Sequence, residues 1–239
     1  MRRHNRLLHG WGVTCGLQVK LPQAADSSSA LAPNSNAANP AGQTSGSQVI
    51  VCPGFAVGPQ GDDILVECPV TFDVATGAQT PDPCAVAWPC PPTGQMPSAA
   101  PGQSLTVYLA IRFAECQTRP VRLAPAGCGC DPTACEYSRV RESFELKTLF
   151  QVPASHTAAA TADTALATDL AAWIKERDRE FPFPAPPCPP CTDDPWVVIA
   201  TVIVQTPTTR GTGMQIRSVT ANHRRVLLST QALQALTPL

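Results

Sequence analysis

The chain has 239 residues, with 17 lysines and arginines against 18 acids, a net charge of −1, and only 15% charged residues. Without a basic surplus it does not read as a phosphate-tracking nucleic-acid protein. Its longest apolar run, residues 196–204, is far short of the ~20 residues a membrane helix needs.

Arg2 to His9 is a short helical candidate closed by Gly10 and Gly12. From Gly12 to Leu21 apolar and polar residues alternate, the period of a half-buried strand. Gln48 to Val57 and Ile64 to Val74 predict a hairpin around Gly58-Pro59-Gln60-Gly61-Asp62-Asp63, where the two aspartates serve the turn. Ser104 to Phe113 alternates with Leu105, Val107, Leu109 and Ile111 on one face. Tyr137 to Val152 fits helix or strand, and Ser143 to Val152 leans to strand. Leu166, Leu170, Trp173 and Ile174 form an amphipathic stripe on a helix predicted over Thr161 to Arg179. Trp196 to Val204 predicts a buried central strand against Ser104–Phe113, and Met214 to Val219 a short one. Asn222 to Leu236 predicts a terminal helix.

These elements describe a single mainly β domain over residues 1–239. Its core is a β-sandwich or barrel of about seven strands with one or two peripheral helices. Three long Pro/Ser/Ala-rich loops are inserted at 22–47, 80–102 and 153–195; loops of such length are usually functional or unstructured. No apolar signal core follows the charged opening, which suggests synthesis in the cytoplasm. The Arg-Arg-His-Asn-Arg opening reads as the middle of an element, so Met1 need not be the natural start.

The chain has 11 cysteines. Cys15, Cys52 and Cys68 fall in predicted strands and read as small buried packing residues. Cys116, Cys128, Cys130 and Cys135 share one turn with the spacing of a tetrahedral zinc site. A second set would join Cys84 and Cys90 to Cys188 and Cys191, if the strands that follow these loops run close and parallel. A reducing compartment favours zinc, and disulfides are the rival. A thioredoxin-type use of Cys188-Pro-Pro-Cys191 is weak, because a strand follows where a helix is required. His4, His9, His156 and His223 stand next to no plausible nucleophile, and no phosphate-cradling glycine loop is present, so no catalytic residue is assigned.

The segments RRHNRLLHGWGVTCGLQV, VIVCPGFAVGPQGDDILV, GCGCDPTACEYSRVRESFEL, WVVIATV and NHRRVLLSTQAL resemble a family of uncharacterised bacterial proteins encoded with phage-tail-like contractile injection systems and their baseplate components. The resemblance spans most of the chain outside the Pro/Ser/Ala loops and carries no catalytic motif. In that family a helical stretch precedes the HNRLLHG segment. The resemblance implies a non-catalytic structural subunit that works through contacts with other subunits of a large particle, with no nucleic-acid or membrane partner. The alternative is a zinc-binding module that recruits a protein partner. An enzyme using Cys188 and Cys191 is the third reading.

Overall fold

The computed structural model describes residues 2–22, 46–80, 101–122, 135–175, 192–207 and 213–228, with the backbone alone at 120–122, 135–136 and 170–175. The fold is mainly β. Eleven strands form three antiparallel sheets: β1 (Gly12–Gly16), β2 (Val19–Lys20), β3 (Gln48–Val51), β4 (Gly54–Val57), β5 (Asp63–Val66), β6 (Val70–Asp73), β7 (Gln79–Thr80), β8 (Ser104–Arg122), β9 (Cys135–Leu149), β10 (Val197–Gln205) and β11 (Gln215–Thr220). The sheet orders are β1-β4-β5, β2-β3-β6-β7 and β11-β10-β8-β9, and none of them closes into a barrel. The predicted sandwich-like core is present among the described residues, with more strands than the seven expected and with β8 and β9 longer than expected.

The extra strands arise at one corner. The predicted strand Gly12–Leu21 leaves its first sheet at Leu17 and enters the second as β2. Gln48–Val57 breaks at Cys52-Pro53, and Ile64–Val74 breaks at 67–69. All three segments therefore switch sheets at the same level, the bend that lets two sheets cross over one core. Prolines at 53 and 69 cannot donate to a ladder, and Leu17 takes a positive φ of 51°. The ladder is carried through the corner by Leu17 N–H to the Pro53 carbonyl (3.1 Å) and Cys52 N–H to the Gln18 carbonyl (2.8 Å). Gly16 and Gly54 face each other there. A Cβ on Gly54 would lie 2.2 Å from the Leu17 nitrogen and 2.5 Å from the Cys15 oxygen.

At the far end of the first sheet, Pro59 and Gln60 occupy the centre of a β-turn closed by Gly61 N–H to the Gly58 carbonyl (2.8 Å). The N-terminal helical segment, α1 (Arg2–His4) continued by a π-helical turn (Asn5–His9), sits on this turn. Asn5 donates to the Gly61 carbonyl (3.1 Å) and to Asp63 (2.8 Å), and Arg2 pairs with the buried Asp62. The carboxylates of Asp62 and Asp63, expected to serve the turn, instead fasten the N-terminal segment to it.

In the third sheet β10 lies between β8 and β11. Val107, Leu109 and Ile111 of β8 and Val197, Ile199, Val202 and Val204 of β10 are all within 1% of full burial. Ile203, inside the strand expected to be buried over Trp196 to Val204, is only half-buried. The cause is a register shift between Val198 and Ala200. Such a bulge carries the inward set from the odd to the even residues of β10. Phe72, Ile64 and Leu17, fully buried, complete a single core shared by all three sheets.

β10 reaches only as far as Ile111 on β8, whereas β8 and β9 remain paired out to Arg122 and Cys135. Residues 112–122 and 135–145 thus form a two-stranded ribbon that no third strand joins among the described residues. At ~3.3 Å per residue it runs for about 30 Å.

α2 (Ala154–Lys175) begins directly after Pro153, seven residues before the helix start expected from the stripe. It occupies part of the segment expected as a loop insertion at 153–195. Its expected docking face is not buried where it can be seen: Leu166 is 41% exposed, and residues 160–169 are exposed throughout. Leu170, Trp173 and Ile174 have no described side chains. The predicted terminal helix is also corrected over 222–228. There the chain makes a turn and then an extended bridge from Val226 to Val13, with Leu227 N–H bonded to the Val13 carbonyl (2.9 Å). An open edge of β1 competes better for these amides than a short helix would. No described helix is long and apolar enough to cross a membrane.

Candidate functional site

Among the described residues a cluster of polar and aromatic side chains meets where α2 leaves the β body. His156, in the first turn of α2, is 7% exposed. Its Nε2 accepts the Val198 N–H at 3.0 Å. That amide sits at the β10 bulge, beyond the reach of β11, which pairs only with Thr201–Gln205. The imidazole therefore takes the place of a missing strand. The Trp11 indole packs on it edge-to-face, with centroids 4.7 Å apart. The Arg225 guanidinium lies 4.9 Å from the Trp11 centroid, donates to the Trp11 carbonyl (2.9 Å) and pairs with Asp163 of α2. His223 reaches Thr201 Oγ1 at 2.9 Å and meets the Tyr108 ring at 5.1 Å.

Burial is the main cause that pushes His156 down to about 4. Arg225 and, to a lesser extent, His223 add to it, while a hydrogen bond to the Trp196 backbone opposes it. The group is thus a neutral acceptor at pH 7, occupied in structure rather than poised for proton transfer. No spacing signal marks this cluster, because Trp11, His156, Asp163 and Arg225 come from four distant segments.

Arg224 supports the corner. It donates to the carbonyls of Leu17 (3.1 Å) and Gly16, and burial lowers its pKa. Replacing Arg224 with methionine keeps much of the aliphatic packing but leaves two carbonyls without a donor. We expect a loss of about 2 kcal/mol, read as a lower urea midpoint at unchanged slope.

The cysteine expectations fare unevenly. Cys15 and Cys68 are exposed and Cys52 half-buried, all as free thiols, so the core-packing reading is overturned. For Cys15 the reason is local. A register shift between Val13 and Cys15 breaks the alternation, leaving Val13 at 1% exposure and turning Cys15 outward. Cys52 and Cys68 sit in the corner, where alternation no longer applies.

Cys116 is 4% exposed and disulfide-bonded. The Cys116 sulfur is thus held as a disulfide and not as a thiolate. Of its expected companions, Cys135 is described only as the backbone opposite Arg122, and Cys128 and Cys130 lie outside the described residues. Cys84, Cys90, Cys188 and Cys191 also lie outside them. The premise that would have joined these four is corrected: β8 and β10 are antiparallel, with Ser104 opposite Gln205 and Ile111 opposite Val197. The starts of the two strands are thus about 23 Å apart along the sheet. Among the described residues no group of three or more His, Cys, Asp or Glu is arranged to hold a metal ion.

No family model, curated protein or solved structure matches this chain.

Proposed function

We propose that this protein is a non-catalytic structural subunit of a phage-tail-like contractile injection particle, acting through contacts with other subunits. The observation that carries the reading is α2. Its residues 160–169 are exposed on every side, and they include Leu166 yet only two charged residues, Asp163 and Asp169. A solvent-facing helix normally shows a charged face or many i,i+4 ion pairs. Here Thr161, Thr164 and Thr168 bond back to the carbonyls four residues earlier instead, at 3.1, 2.8 and 2.9 Å. Such back-bonding does little for an isolated helix. A helix of this composition gains most by burial against a neighbour. The outer β8–β9 ribbon, residues 117–119 and 137–140, is a second element with no buried position, and two strands alone are marginal in water. The resemblance of the HNRLLHGWG, PGFAVGPQGDD and NHRRV segments supplies the particle.

The reading is tested by purifying intact particles from the source and quantifying this chain by mass spectrometry. A fixed, stoichiometric copy number is expected; its absence from particles would overturn the reading. A sharper test uses Leu166→Gln. Helix propensity is nearly conserved, so the isolated chain should change by no more than about 0.5 kcal/mol in thermal denaturation. Incorporation into particles should fall markedly. A large loss of stability in the isolated chain would show instead that Leu166 packs within it.

A further inference from the structure

We propose that His156 is an acid-released latch: protonation of its imidazole frees the base of α2 from the β body while the sheets stay folded. The inference stands apart from the assembly reading and rests on how few groups hold this helix. In the described structure α2 touches the body through His156, the half-buried Ala159, the Asp163–Arg225 pair and a 3.5 Å bond from Ser155 to Asp194. Only the His156 bond is fully buried, and its partner is an amide that no strand satisfies.

Protonation reverses the polarity of that bond. Nε2 becomes a donor facing the Val198 N–H, itself a donor. The new charge is also enclosed with like charges. Arg225 packs against the same Trp11 ring as His156, and both Arg225 and His223 are near enough to disfavour a further cation. The acids around it are already engaged: Asp163, 56% exposed, with Arg225, and Asp194 with the Trp196 amide (3.2 Å) and Ser155. Released into water, the ring can hold its proton at no such cost.

The sign follows directly. The docked imidazole titrates at about 4, and a free one at 6.5. Docking is therefore intact above pH 6.5 and weakens as pH falls towards 4. At pH 5 the released-to-docked ratio rises about 30-fold over its value at pH 7.5. Among the described residues no other histidine is buried, so the release is local.

Amide exchange measured by NMR at pH 7.5 and 5.0, corrected for intrinsic rates, tests this on the full chain. The Val198 amide and the first turn of α2 should lose about 30-fold protection. Val107 and Val202, in the middle of the sheet, should lose little. His156→Gln keeps an acceptor that does not titrate, and its Val198 protection should be the same at both pH values. Equal pH dependence in the wild type and His156→Gln would overturn the latch, as would equal loss at Val107 and Val202. If His156→Gln does not fold, titration of the wild-type His156 ring decides. A midpoint well below 6.5 that coincides with Val198 release supports the latch. An ordinary midpoint with α2 still docked overturns it.

Discussion

Replacing Gly54 with alanine should abolish soluble folding. The added methyl would stand 2.2 Å from the Leu17 nitrogen, 2.5 Å from the Cys15 oxygen and 2.7 Å from the Gly16 carbon. All three are backbone atoms, so no side-chain rotation relieves the clash. Relief requires the two strands to separate at the corner. That would break the Leu17–Pro53 and Cys52–Gln18 bonds together, and it would open the core beside Leu17, which is fully buried. A cost above about 4 kcal/mol follows, in the exceptional range for a point substitution. It is comparable to the whole stability of many domains. Gly58→Ala is the control. Its nearest neighbours would lie at 3.6 Å or beyond, ordinary contact distance, and it should express and melt nearly as the parent does. A folded Gly54→Ala protein with parental stability would show that the strands do not cross at this corner.

Ile199→Asp should have an effect of similar size for a different reason. Ile199 is 1% exposed on the core face of β10. A carboxylate there has no partner among the surrounding Val, Leu and Ile side chains, and an unpaired buried charge costs several kcal/mol even after it takes up a proton. Ile203→Asp, four residues on but half-buried, should be clearly milder. Comparing the soluble fraction and thermal midpoint of the two variants tests the bulge directly. If Ile203→Asp were the more damaging, the register of β10 would be wrong.

Much of this fold is legible in the amino-acid order. Alternation located β1 and the first half of β8, an apolar run located β10, and the Gly58–Asp63 turn was evident from its residue types, whereas β9 fitted helix as well as strand. Pairing of Ser104–Phe113 with Trp196–Val204 followed from their shared burial. Alternation fails wherever its period is interrupted. Bulges at Val13/Cys15 and Val198/Ala200 reverse which side chains face the core, and a bulge leaves little trace in residue types. The corner was hidden for a related reason. A strand that changes sheets at Leu17 looks continuous in sequence, because the alternation resumes on the far side. The direction of β10 relative to β8 is set by the long connection between them, which local patterning does not report. The helix presented the opposite problem. Its apolar stripe marks a docking face, and the stripe alone does not say whose core it joins. The cluster of Trp11, His156, Asp163 and Arg225 depends on contacts between segments up to 214 residues apart, which no local pattern encodes.

The central claim is that α2 and the β8–β9 ribbon are surfaces completed by other subunits. Hydrogen exchange of residues 157–169 and of the ribbon, compared between the isolated chain and the intact particle at one pH near 7.5, tests it most directly. Both segments should exchange quickly in isolation, and at least about tenfold more slowly in the particle. The core strands β3 and β10 should be protected equally in both. Unchanged exchange of both segments in the particle would contradict the account.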